Sequence, residues 1–129
     1  MSEKISVENI GALKVLTDKH FAKEQLGLSS MEVSVNRLPA GTGVPFVHTH
    51  KMNEELYVVV SGEGMFYADG EEFALQEGTL VRVAPAVERA IRAGKADLCY
   101  ICIQAAENSL RQYTMTDGVI SETKTAWMK

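Results

Sequence analysis

From residue 31 onward, apolar and polar residues follow one another at the short period of extended chain. Glu32-Val33-Ser34-Val35-Asn36-Arg37-Leu38 alternates side by side, the pattern of a half-buried strand. Pro39-Ala40-Gly41-Thr42-Gly43 ends it as a loop rich in turn residues. Residues 44–50 read as the next extended piece, with Pro45 suiting a sheet edge or a strand start. Residues 55–60 form a strongly β-prone run, closed by a turn at Gly62 and Gly64. Met65-Phe66-Tyr67 returns through Asp69-Gly70, a two-residue hairpin signal, onto residues 72–75. Gly78 precedes residues 80–83, which Pro85 closes, and residues 89–92 and 98–104 complete the series. The pattern predicts about eight short strands and almost no helix, which means an all-β sandwich or barrel.

Residues 1–30 have a different texture. Asp18 is placed to cap a short helix over residues 19–25, with Gly27 as its stop. The expected organisation is one domain: an N-terminal arm over residues 1–30 that packs on the barrel, a barrel core over 31–105, and a C-terminal extension over 106–129. The tail is polar apart from a late Trp127 and is expected to cross the outside of the barrel or meet a partner subunit.

Composition adds few surprises. The chain has 129 residues, 46% hydrophobic and 23% charged, the balance of one soluble globular domain. A net charge of −4 gives no overall pull toward nucleic acid or anionic lipid, so neither is an expected partner. No run approaches the roughly 20 apolar residues of a membrane helix. Met1-Ser2-Glu3-Lys4 lacks the basic-then-apolar order of a signal peptide, and a cytoplasmic location is expected.

Cys99 and Cys102 form a C-x-x-C, a spacing shared with redox pairs and zinc half-sites. Their surroundings, Leu98-Cys99-Tyr100-Ile101-Cys102-Ile103, read instead as a buried strand. Three strand steps set the α-carbons roughly 10 Å apart, beyond the reach of a disulfide at about 7 Å. The odd spacing sends the two thiols to opposite faces. Both are expected to be buried structural cysteines.

The most informative stretch is His48-Thr49-His50-Lys51-Met52-Asn53-Glu54-Glu55. Residues two apart on a strand share a face, so both imidazoles can aim inward together. If Glu55 faces inward from the next strand, its carboxylate joins them. Two histidines and a carboxylate suit iron, manganese, nickel or zinc and leave positions open for water or substrate. The plainer alternative is a pair of solvated histidines beside a charged turn. Tyr57 shares the face of Glu55 and is either a hydrogen-bond donor to a bound ligand or core packing. Arg82 opposes Val81 and Val83 and is expected in solvent. Arg89 is either an exposed arginine on a turn or a guanidinium that grips an anionic substrate. Gly62-Glu63-Gly64 leads into strand residues, which excludes a phosphate loop, and no G-x-S-x-G is present.

The run from Gly41 to Gly64 resembles the first motif of the cupin superfamily, a glycine followed by H-x-H, three or four residues, Glu, six residues and Gly. Here His50 is followed by four residues, Glu55, six more and Gly62. Residues 78–92 resemble the second motif, with Gly78 as its glycine and Pro85 as its proline. The resemblance implies a double-stranded β-helix, or jelly-roll barrel, carrying a short helical or extended N-terminal arm. It implies one divalent metal ion on His48, His50 and Glu55. The fourth ligand that cupins commonly supply, a histidine, falls near Ala90, and no histidine stands there. That leaves three options: an open metal face, weaker binding or a vestigial site. His20, in the arm, is expected at the surface.

The function implied is a metal-binding protein acting on a small polar or anionic metabolite, by dioxygenase or isomerase type chemistry, with Tyr57 and Arg89 as candidate catalytic residues. The alternative is a non-catalytic module that binds a small carboxylate or sugar. The resemblance also implies a homodimer.

Overall fold

The computed structural model describes residues 4–112 and 114–128; residues 1–3 at the head of the arm, and 113 and 129 in the tail, lie outside the description. Eight strands form two antiparallel sheets. They are β1 (His20–Phe21), β2 (Glu32–Leu38), β3 (Asn53–Ser61), β4 (Glu63–Ala68), β5 (Glu71–Gln76), β6 (Leu80–Val83), β7 (Arg89–Ala93) and β8 (Leu98–Ala106). The larger sheet runs β1-β2-β8-β3-β6 and the smaller β5-β4-β7.

The alternating sequence accounts for the layering. In β3, Glu55, Tyr57 and Val59 are buried, while Leu56 and Val58 between them are half-exposed. β8 lies between β2 and β3, pairing with β2 residue for residue from Glu32–Gln104 to Leu38–Leu98. The barrel core is built from the inward residues of both sheets, among them Tyr57, Val59, Phe66, Leu75, Val83, Ile91, Leu98 and Tyr100. Hairpin β4–β5 turns on Asp69 and Gly70, both with positive φ, as the favoured two-residue turn requires.

The strand count agrees with the sequence pattern, but one member differs. Residues 44–50 form no strand; they run beside β7 through isolated bridges, Gly43 to Arg92 and His48 to Arg89. Pro45 has no N–H to give a ladder, which keeps the pairing sparse. The eighth strand is instead β1, two residues long and too short to leave a periodic signal. The expected helix over 19–25 is cut short because β1 takes up His20 and Phe21. α1 (Ala22–Leu26) starts after β1 with Phe21 at its N-cap, not Asp18, while Gly27 ends it in the left-handed conformation as anticipated. Trp127 is 82% exposed, so the tail does not lay this ring on the barrel. Among the described residues, no helix is long and apolar enough to cross a membrane.

Candidate metal centre

The extended segment after Gly43 keeps strand-like alternation even without a ladder. Val44, Phe46, His48 and His50 all line one cavity of about 200 Å³ inside the barrel mouth. Backbone bonds fix them: His48 and Arg89 exchange N–H···O contacts of 3.1 Å, and His50 N–H donates to Pro85 O at 2.8 Å. Glu55 and Tyr57 enter the same cavity from β3. One ligand atom from each of His48, His50 and Glu55 lies within 4.8 Å of the other two. The sequence parity therefore brings these three residues together.

Glu55 is 3% exposed and fully surrounded. Its Oε1 accepts from Tyr57 Oη at 2.8 Å and from Arg89 Nη1 at 2.7 Å. Its Oε2 lies 3.0 Å from His50 Nε2 and accepts from the Cys102 thiol at 3.4 Å. Burial alone would raise its pKa; the donors from Tyr57, Cys102 and Arg89, with the charge of His50, outweigh it and hold the carboxyl below its ordinary value. Burial and the neighbouring carboxylate push the Cys102 thiol up to about 12, so it stays protonated and donates. Burial, followed by the charges of Cys102 and Glu55, likewise raises Tyr57 and keeps it a phenol.

His48 differs from its partners. Its Nδ1 is buried with no hydrogen-bond partner, a costly state for a polar nitrogen. Burial foremost, with smaller effects from Arg89 and His50, lowers its pKa, so the ring is neutral near pH 7 and keeps a lone pair. An unpartnered buried imidazole nitrogen beside an anionic carboxylate and a second imidazole fits a divalent cation.

Arg89 corrects the expectation of an exposed turn residue. It is 0% exposed and lies in β7. Nε donates to Val87 O, Nη2 to Ala84 O and Pro85 O, and Nη1 to Glu55. A guanidinium so enclosed has almost nothing left to offer a substrate. Its role is to position Glu55. Arg82 is in solvent, as its parity implied, near Glu54. Ala90 lines the cavity where the resemblance would have set a fourth ligand. His20, half-buried in β1, pairs with Glu8 at 2.7 Å, away from the site.

The cysteines are free and buried, and face opposite ways. Cys99 donates to Leu13 O in the arm and Cys102 to Glu55 inside the barrel. Residue pattern alone gave Cys102 only a packing role; its step to the inward face of β8 was legible, its contact with Glu55 was not. Lys19, Ser34, Asn36 and Gln104 also line the cavity and had no motif to flag them.

Comparison with known proteins agrees with this architecture. Residues 34–104 match the family model of the cupin domain. A cupin protein from Bacteroides fragilis, known from its crystal structure, is 40% identical, with 93% of this chain and 99% of that chain covered and a TM-score of 0.86. The chain belongs to the cupin family. More distant likenesses share the fold. An RmlC-like cupin family protein with a double-stranded β-helix from Methanocaldococcus jannaschii is 23% identical over 82% of this chain and 93% of that one, with a TM-score of 0.60. A predicted oxalate decarboxylase from Thermotoga maritima is 23% identical over 59% and 64%, with a TM-score of 0.53. No curated protein matches the chain.

Proposed function

We propose that this cupin holds one divalent metal ion, iron, manganese, nickel or zinc, on His48, His50 and Glu55, and acts there on a small polar or anionic metabolite by oxygenase or isomerase type chemistry. The observation that carries the reading is the buried, unpartnered Nδ1 of His48 within a cluster of three ligand atoms. Bound at such a site, an ion supplies Lewis acidity to a coordinated oxygen and a place for substrate.

The chain's own residues do the rest. Arg89, Tyr57 and Cys102 keep Glu55 ionised and fixed in one orientation. Buried Phe66, Val59 and Leu75 pack with Tyr57 in the apolar core beside it. The methyl group of Ala90 leaves one side of the cluster free for a ligand, where a further imidazole would have filled it.

Metal analysis after gentle purification tests this reading. The wild type is expected to carry about one divalent ion per chain and His48→Ala to lose most of it. Substoichiometric metal in the wild type, unchanged by the substitution, would remove the proposal.

A homodimer belongs to the same reading. The outer face of the larger sheet presents Leu56, Val58, Ile101 and Ile103, only half-buried, with Leu80 exposed beside them. Sedimentation at micromolar concentration is expected to give twice the chain mass; a monomer would exclude it.

A further inference from the structure

We propose that Lys19 is the anion-recognising residue of this cavity, and that the molecule admitted beside His48, His50 and Glu55 is a small carboxylate with an apolar body. The inference rests on the cavity being the functional site, but not on the ion.

The register of β1 carries the argument. His20 pairs with Val35 and Phe21 with Ser34, so one further step sets Lys19 opposite Asn36. Ser34 and Asn36 are buried and line the cavity; Lys19 and Phe21, both exposed, share their face and line its rim from the arm. The ammonium of Lys19 stands 5.0 Å from the centroid of the Phe21 ring, a cation–π contact that holds it at the rim.

Charge bookkeeping then singles it out. Among the described residues, Glu55 is the one carboxylate lining the cavity, and both its oxygens already accept from donors. Arg89 is sealed behind it. Among the described residues, carboxylates meet Arg37, Arg82 and Arg89 in ion pairs and His20 and His50 in histidine contacts, and none meets Lys19.

The other walls suit the same ligand. The Tyr100 hydroxyl lines the cavity with no side-chain bond among the described residues, and burial keeps it a donor. Phe46, 59% exposed, and Phe21 give the rim an apolar surface. A volume of about 200 Å³ limits the guest to a small molecule.

The test uses matched acids and amides: benzoate against benzamide, and butyrate against butyramide. Each is titrated into the full-length isotope-labelled protein and followed by NMR, before and after metal removal with EDTA. The acids are expected to bind about tenfold more tightly than their amides, the scale of one charge-assisted contact. Lys19→Gln should abolish that preference, Lys19→Arg should keep it, and Lys23→Gln, on α1 and outside the cavity, should leave it unchanged. Equal affinity for acid and amide in the wild type, no binding of either, or a preference that survives Lys19→Gln would each overturn the proposal. A protein that binds no metal yet keeps the acid preference would remove the ion and leave this role of Lys19 intact.

Discussion

Arg89→Leu is expected to cost about 3–5 kcal/mol of stability, the range for breaking a buried ion pair from one side. The guanidinium is wholly buried and 2.7 Å from Glu55 Oε1. Leucine would leave a buried carboxylate without its cation and would strip donors from the carbonyls of Ala84, Pro85 and Val87. The Glu55→Gln/Arg89→Leu double variant should be less damaged than the sum of its single changes, because both charges leave together. Urea unfolding of the metal-free protein at pH 7 measures both. A loss under about 1 kcal/mol for Arg89→Leu would mean that the pair contributes no more than a surface contact.

Gly62→Ala is expected to be nearly as severe, about 3 kcal/mol or more. Gly62 joins β3 to β4 with φ of +90°, next to the bulge in the β3–β8 ladder. A left-handed conformation strains alanine by about 1–3 kcal/mol. An added Cβ would also overlap the carbonyl oxygen of Asp97, which is backbone and cannot step aside cheaply. Gly70→Ala separates the two effects. Its φ is +92°, yet nothing lies within 4 Å of the new methyl group, so only strain of about 1–2 kcal/mol applies. Thermal or urea unfolding that ranks Gly70→Ala as the worse substitution would contradict this account.

Much of the site was legible because strand parity is a local property. His48 and His50 share a face by being two apart, and Glu55 and Tyr57 do so in β3. The parity held even where residues 44–50 formed no ladder, since two bridges to β7 suffice to keep an extended chain in phase. The hairpin at Asp69 and Gly70 was equally local. What sequence did not show depends on partners far along the chain. Arg89 meets Glu55 across 34 positions, and its burial follows from where β7 packs, not from its own neighbours. The same holds for Cys102, 47 positions from Glu55. Lys19 looked like the start of a helix; it became part of the cavity wall because β1 docks on the edge of β2. Arginine at a position expected in solvent is also a case where residue type misleads. A buried charge is uncommon enough that exposure is the natural expectation until its partner is seen.

Two imidazoles and one carboxylate are expected to converge on a single ion. Crystals of the full chain grown with zinc, measured at the zinc absorption edge, test it most directly. One dominant anomalous peak is expected within about 2.0–2.2 Å of His48, His50 and Glu55, the bonding range for nitrogen and oxygen ligands. Density elsewhere on the surface, with no peak among these three side chains at saturating zinc, would contradict it.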